Sequence, residues 1–107
     1  MGIAESRLVS ADVLGAALAP DGANPLTTAA ASLASVRELE VGLWEAGPGV
    51  DSDVEADEVF LVLSGAGTVT FADGSRLDLR PGVLVRLHAG DETVWEISQR
   101  LRKLYLT

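Results

Sequence analysis

The segment that decides the fold is EVFLVLSGAGTVTFADGSRLDLRPGVLVRL, residues 58–87. It consists of short apolar and β-branched runs, and glycine, proline or aspartate separates one run from the next. Asp73-Gly74 lies between two alternating runs and is a residue pair preferred in a type I′ turn, in which both central positions have positive φ. We therefore expect a hairpin that pairs residues 67–72 with residues 75–79.

Further strands are predicted on both sides of this hairpin. The full set comprises residues 37–46, 58–64, 67–72, 75–79, 82–87, 92–98 and 100–107. Tight links are expected at Gly65-Ala66-Gly67 and at Arg80-Pro81-Gly82, the latter with proline at the second turn position. So many short strands leave little room for helix. The pattern predicts an all-β antiparallel barrel with a meander through its middle strands.

The N-terminal third differs from the rest of the chain in composition and in its pattern of apolar residues. Residues 1–35 are predicted to form an arm, and residues 36–107 the β-barrel domain. Residues 21–35 are small and polar, which indicates an irregular arm or a short weak helix. Apolar residues between positions 3 and 18 fit both helical and strand spacings, and a helix over residues 10–19 is one alternative.

Composition excludes several classes of function. The chain has 107 residues, enough for one domain with one core. It has no cysteine, so disulfides, thiolate catalysis and cysteine-bound zinc are excluded. Its net charge of −8 repels nucleic acid and anionic membranes. The first residues do not read as a signal peptide and no stretch reaches about 20 apolar residues, so we expect a cytoplasmic protein without nucleic-acid or membrane partners.

Residues 59–63, VFLVL, are apolar at every position. A strand of this kind has both faces covered, one by the barrel interior and the other by a second layer. The second layer is either the N-terminal arm or another subunit. Because symmetric pairing commonly covers such a surface, we expect a homodimer.

Several short motifs, taken in order and spacing, resemble the cupin superfamily of RmlC-like jelly rolls. The matching residues are Val41-Gly42-Leu43-Trp44-Glu45, Pro48-Gly49, Asp57-Glu58, Ser64-Gly65, Pro81-Gly82, Gly90, Thr93, Trp95-Glu96 and Lys103-Leu104-Tyr105. Within the superfamily, the chain resembles small cupins related to ureidoglycine aminohydrolase and to an ethanolamine-utilisation cupin. The resemblance implies a single cupin-type barrel whose interior holds a metal ion or a small molecule.

The resemblance also implies four metal-ligand positions, and only one of them carries a usual ligand. Glu58 and Gly65 match the end of the first cupin motif, with six residues between them. The remaining ligand positions, which are histidines in the motifs, fall here on Ser52 and Val54, or in the other register on Asp51 and Asp53, and on Thr93. No cofactor is therefore expected. A carboxylate site for Ca²⁺ or Mg²⁺, made by Asp51, Asp53 and Glu58, is the open alternative.

Glu58 begins an apolar strand and is the candidate catalytic acid or base if it points into the barrel. The candidate ligand-pocket residues are Trp44, Phe60, Arg86, His88, Thr93, Trp95 and Tyr105. Thr93 and Trp95 share one face of their strand because side chains alternate. Core packing or solvent exposure is the alternative for each candidate, and a turn at the barrel rim is the alternative for His88. The basic residues Arg100, Arg102 and Lys103 are interpreted as surface decoration of the last strand.

These observations favour a small-molecule-binding cupin that lacks the usual metal-binding histidines. Two alternatives stay open. One is a cupin enzyme, amidohydrolase-like, that acts on a small polar nitrogen compound through a carboxylate-held divalent ion or without a metal. The other is a non-catalytic dimeric structural or partner protein.

Overall fold

A computed structural model describes residues 2–107 and confirms the all-β antiparallel fold class. Its elements are α1 (Ile3–Arg7), β1 (Ala19–Pro20), β2 (Ala29–Val36), β3 (Leu39–Ala46), β4 (Gly49–Val54), β5 (Glu58–Phe71), β6 (Arg76–Leu79), β7 (Leu84–Leu87) and β8 (Glu92–Leu106). The N-terminal helix is a single short one at α1, so the alternative of a helix over residues 10–19 is wrong. No helix of residues 2–107 is long and apolar enough to cross a membrane.

Two long strands, β5 and β8, form the frame of the molecule. They pair antiparallel from Val59 opposite Leu106 to Phe71 opposite Thr93. On its other edge β8 pairs with β3 near its C-terminus and with β4 near its N-terminus. On its other edge β5 pairs with β7 near its N-terminus and with β6 further along. β2 pairs with β3, and β1 with β2, which completes one eight-stranded sheet.

The hairpin between β5 and β6 is confirmed, with Gly67 opposite Leu79 and Thr70 opposite Arg76. Its turn type was predicted wrongly. Gly74 has a φ of 86°, whereas Asp73 does not have positive φ, so the turn is not type I′. The Asp73 carboxylate accepts hydrogen bonds from the Ser75 backbone N–H and hydroxyl, which stabilises the alternative turn. The predicted meander also ends at β6, because β7 pairs with β5 rather than with β6.

Gly65-Ala66-Gly67 is a bulge inside β5 and not the predicted link between two strands. The pairing of β5 with β8 shifts register around these residues. Gly65 has a φ of 89°, and a Cβ at this position would collide with the backbone of Arg100 and Leu101. Glycine therefore permits a close approach that keeps β5 continuous. The predicted strands at 92–98 and 100–107 likewise form one strand, β8.

The segment predicted as an irregular arm contains β2, which begins at Ala29 and ends at Val36. This strand pairs with β3 from Ala29 opposite Glu45 to Val36 opposite Leu39. Alanine and serine dominate it and have weak intrinsic strand preference, so pairing with β3 decides its conformation. The predicted boundary between arm and barrel therefore falls inside a strand.

A single core lies on the inner face of the curved sheet. The buried residues of this cluster are Leu26, Ala46, Phe60, Val62, Val69, Leu79, Val85, Leu87, Trp95, Ile97 and Leu101. In β5, Phe60 and Val62 point inward, while Val59, Leu61 and Leu63 lie on the other face and are half-buried. One face of VFLVL is thus fully covered within the chain and the other is covered in part.

Candidate functional site

A cavity of about 400 Å³ opens on the inner face of β3, β4, β5 and β8. The segment between β1 and β2 closes one side of it, where the Asn24 side chain bonds the hydroxyl of Thr28 and the backbone N–H of Leu26. Most lining residues are polar or aromatic: Asp21, Asn24, Leu26, Thr28, Ala30, Trp44, Asp51, Ser52, Asp53, Glu55, Glu58, Trp95, Lys103 and Tyr105. The cavity therefore combines charged groups with aromatic walls.

An ion pair between Glu58 and Lys103 lies at the wall of this cavity. Lys103 Nζ donates a hydrogen bond to Glu58 Oε2 at 2.6 Å, and the two side chains are 7% and 17% exposed, lysine first. In the sheet, Lys103 lies opposite Trp44 on one side and Val62 on the other. Glu58 begins β5 on the same inner face as Phe60. The two charges meet because both strands turn these side chains inward.

Three aromatic rings surround the Lys103 ammonium. Nζ lies 4.7 Å from the ring centroid of Trp44, 4.5 Å from that of Phe60 and 5.0 Å from that of Trp95. The Trp95 ring lies 5.5 Å from each of the other two rings. Aromatic faces attract cations. The rings and the Glu58 carboxylate therefore together stabilise a positive charge at this point.

Glu55 organises the neighbouring part of the wall. One of its carboxylate oxygens, Oε2, accepts hydrogen bonds from Thr93 Oγ1 at 2.6 Å and from Trp95 Nε1 at 2.9 Å. Thr93 is 3% exposed and Trp95 is 5% exposed. The backbone of Glu55 is fixed by hydrogen bonds to Gly90 and Asp91. This carboxylate consequently sets the orientation of the Trp95 indole at the cavity.

Tyr105 lies at the far end of β8, against Gly42 of β3. A Cβ at Gly42 would collide with the Tyr105 ring, so glycine permits the ring to lie on the strand. Tyr105 Oη donates a hydrogen bond to Glu40 Oε1 at 3.2 Å. Burial, and then the charge of Glu40 and this hydrogen bond, raise the pKa of Tyr105 above its usual value. At neutral pH the hydroxyl is therefore a donor.

Residues 34–105 match the family model of the EutQ-like cupin domain. The chain belongs to this cupin family. No curated protein matches the sequence at a significant level.

Solved structures show the same fold. The EutQ protein of Clostridium difficile superposes on this cupin with a TM-score of 0.67 at 20% identity, over 77% of this chain and 68% of that chain. A protein of unknown function from Rhizobium leguminosarum gives 0.68 at 23% identity, over 75% and 79%. Ectoine synthase from P. lautus gives 0.69 at 12% identity, over 81% and 67%. At these identities the likeness shows the fold alone. The predicted cupin-type barrel is confirmed, while the closer relation to ureidoglycine aminohydrolase stays a prediction.

The residues at the metal-ligand positions of this cupin do not fit a bound metal. Residues 2–107 contain no group of three or more His, Cys, Asp or Glu side chains that could hold a metal ion. Asp51 and Asp53 each accept a hydrogen bond from the backbone N–H of the next residue. Glu58 is paired with Lys103, and the Thr93 hydroxyl with Glu55. The alternative carboxylate site of Asp51, Asp53 and Glu58 is therefore not assembled.

Four of the seven candidate pocket residues do not line the cavity, namely Phe60, Arg86, His88 and Thr93. Arg86 is half-exposed on β7 and bonds Asp57 Oδ1 through both terminal nitrogens at 3.2 Å. The Ala89 backbone N–H and the Arg86 guanidinium lower the pKa of Asp57. His88 is exposed in the turn between β7 and β8, and its backbone N–H bonds Asp91. Phe60 is fully buried in the core, with its ring centroid 4.5 Å from Lys103 Nζ.

The structure brings together the predicted residues Trp44, Glu58, Thr93, Trp95 and Tyr105. The cavity wall also contains a residue that the sequence interpretation missed, Lys103, which is the only lysine of the chain. Side-chain alternation along β8 indicates an inward direction for Lys103, because Lys103 lies an even number of residues after Trp95, Ile97 and Leu101. Glu55 gives no such signal, because its orientation depends on the path of a loop.

Proposed function

We propose that this cupin binds a small polar molecule in the cavity beside the Glu58–Lys103 pair. The observation that carries the proposal is a buried ion pair, ringed by aromatic faces, at the wall of a cavity of about 400 Å³. Small-molecule sites are concave, measure roughly 300–1,000 Å³ and combine apolar walls with a few convergent polar groups. The arrangement around Lys103 has each of these properties.

A purely structural role explains this arrangement less well. Replacing a buried ion pair by apolar residues of similar volume is often neutral or stabilising, because desolvation of the two charges offsets their attraction. A barrel that only needed a filled interior could use leucine or valine at both positions. The charged pair, together with the Glu55 carboxylate, therefore supports a binding role, and we assign Glu58 to that role.

The test is a thermal-shift screen of small polar molecules followed by titration. Both tryptophans of the chain line the cavity, so intrinsic fluorescence reports directly on its occupancy. We expect at least one compound to raise the melting temperature and to change the fluorescence in a saturable way. Glu58→Gln should weaken its binding at least about tenfold, which corresponds to about 1.4 kcal/mol.

The matched control is Glu92→Gln, which removes one carboxylate from an exposed position of β8 outside the cavity. This variant should bind like the wild type. The proposal fails if no compound changes tryptophan fluorescence, or if Glu58→Gln and Glu92→Gln bind the compound equally well.

The second part of the proposal is that two copies of the chain associate through the outer face of β5, β7 and β8. Val59 and Leu61 are half-buried there, and Leu84 and Leu106 are 68% and 37% exposed. Leu61 pairs with Leu84, and Val59 with Leu106, so the apolar side chains form a continuous band. Cover by a second copy would bury this band. A cytoplasmic location stays a prediction from sequence.

A further inference from the structure

Lys103 is the only cationic side chain among the residues that line the cavity. Its nearest carboxylate, Glu58, is the one residue that matches a metal ligand of the cupin motifs, and it bonds the lysine Nζ at 2.6 Å. At the position where the cupin motifs would place a metal ion beside this glutamate, the positive charge next to Glu58 is the ammonium group of Lys103. This charge is held in place by three ring faces and by the strand pairing of β8 with β3 and β5.

The Lys103 ammonium retains hydrogen-bonding capacity toward the cavity. An ammonium group has three N–H donors. Among residues 2–107, the hydrogen bond to Glu58 is the one that Nζ makes. A ligand oxygen at the cavity wall can therefore accept a further N–H. A carboxylate is the group best suited to this position, because hydrogen bonds between two ionised groups are about twice as strong as those between neutral groups.

The rest of the cavity has the opposite charge. Asp21, Asp51 and Asp53 line it, in addition to Glu55 and Glu58. With Lys103 as the one cation, the lining carries an excess of negative charge. A simple anion would be repelled by this field, whereas a ligand that carries both a carboxylate and an ammonium group satisfies both parts of the wall.

We infer that the cavity takes a small zwitterion, with its carboxylate on Lys103 Nζ and its ammonium group facing the aspartates. This inference names the ligand class of the site proposed above and rests on that function. Lys103 is then the residue that determines specificity for the carboxylate, and Glu58 positions it.

The test uses three zwitterions of increasing length, namely glycine, β-alanine and 4-aminobutyrate. Each has two matched probes. Acetate, propionate and butyrate lack the amino group, whereas methylamine, ethylamine and propylamine lack the carboxylate. Binding to the full chain is followed through the two indole N–H signals in ¹H–¹⁵N spectra and through tryptophan fluorescence. We expect saturable changes with at least one zwitterion, and affinity at least about tenfold lower for its matched acid and amine.

Lys103→Met keeps an unbranched side chain one atom shorter than lysine and removes the charge, so it should abolish the preference for the zwitterion over the amine. Arg76→Met removes one positive charge from an exposed position of β6 and should leave the preference unchanged. Because Lys103→Met leaves Glu58 without its partner, the double variant Glu58→Gln/Lys103→Met provides a neutral pair. It should fold and likewise show no preference.

The inference is overturned if the matched amine or the matched acid binds as well as the zwitterion, if Lys103→Met retains the preference, or if no zwitterion changes the indole signals. In the first two cases a small polar molecule still binds beside the two tryptophans, so the proposed function survives. In the third case the proposed function survives only when another compound of the thermal-shift screen saturates the same two indole signals, and it fails when none does.

Discussion

At Glu55, one carboxylate oxygen holds two side chains of β8, the Thr93 hydroxyl and the Trp95 indole. Both donors belong to residues that are almost fully buried. A buried donor without a partner costs about 1–3 kcal/mol, more than the net contribution of a typical hydrogen bond. This carboxylate is therefore important for the shape of the cavity wall as well as for its charge.

We expect Glu55→Leu to lower the free energy of unfolding by about 1–3 kcal/mol, because it leaves the Trp95 indole N–H without its acceptor and the Thr93 hydroxyl with only the Asp53 carbonyl oxygen at 3.5 Å. Urea denaturation followed by tryptophan fluorescence measures the change. Glu92→Leu is the control, since it makes the same substitution at an exposed position of β8, the strand that carries Thr93 and Trp95. Equal losses in the two variants would show that the hydrogen bonds to Glu55 do not hold Trp95 in place.

Single residues were predictable where strand alternation decides the direction of a side chain. Thr93 and Trp95 follow from this rule, and so does Lys103, although it was grouped with the surface residues Arg100 and Arg102 because of its charge. Glu55 was not predictable, because it follows the end of β4 and its direction depends on backbone bonds to Gly90 and Asp91. Those bonds join residues far apart in the chain, and no local pattern encodes them.

At the scale of elements, the bulge at Gly65 keeps β5 continuous. Gly65 and Gly74 have similar positive φ values of 89° and 86°. They differ in their surroundings, because a Cβ at Gly65 would meet the backbone of β8 and a Cβ at Gly74 would meet nothing within 4 Å. A comparison of substitutions at the two positions therefore distinguishes the cost of backbone strain from the cost of steric collision.

We expect Gly74→Ala to cost about 1–2 kcal/mol of stability, from positive φ alone. Gly65→Ala should cost about 2–4 kcal/mol more, because the backbone of β8 must also move. Chemical denaturation of both variants checks the difference. Equal costs would mean that β5 and β8 do not approach each other closely at this bulge.

The segment between α1 and β1 is anchored by Arg102. Its Nη1 donates to the carbonyl oxygens of Val13 and Ala16 at 2.9 Å, and its guanidinium pairs with Glu45 at 2.7 Å. Burial alone would raise the pKa of Glu45. The hydrogen bonds and charges of Arg100 and Arg102 lower it by more than burial raises it, so the pKa lies below the usual 4.5. The anchor therefore depends on an ionised Glu45.

Because the pKa of Glu45 is lower in the folded state, its contribution to stability is present above about pH 4.5 and is lost as the pH falls through the folded-state value. We expect the heteronuclear ¹H–¹⁵N NOE values of residues 8–18 to fall over this acidic range, because the segment loses its anchor. Glu45→Gln should give low values already at neutral pH and a weaker pH dependence, whereas Glu38→Gln, in the exposed turn before β3, should behave like the wild type. NOE values that are independent of pH in the wild type would contradict this account of the anchor.

At the scale of the whole molecule, the outer apolar band of β5, β7 and β8 is only partly covered within a single chain. We expect the protein to sediment at micromolar concentration as a species of twice its 11.1 kDa mass. Leu84→Asp introduces a charge into the band and should shift the equilibrium toward monomer. Leu77→Asp, on β6 at 41% exposure and outside the band, should not. A monomeric wild type would end the dimer proposal.

The fold as a whole was largely predictable, because glycine, proline and aspartate mark the strand ends after Val36 and alternation marks the strands. The prediction failed where pairing overrides local preference. β2 has a sequence rich in alanine and serine, and it forms a strand because its backbone pairs with the edge of β3. Gly65-Ala66-Gly67 has the composition of a turn, and it is a bulge because β8 continues opposite it.

The central claim, that a lysine ammonium forms the cationic point of a ligand site, is tested most directly by the side-chain signal of that lysine. The chain has one lysine, so ¹⁵N-lysine labelling yields a single Nζ signal without mutagenesis. We expect an ammonium signal that is visible at neutral pH, because burial slows its exchange with water, and that shifts as the zwitterion series saturates the indole signals. A signal lost to rapid exchange, or one that stays fixed while the indole signals saturate, would contradict the account.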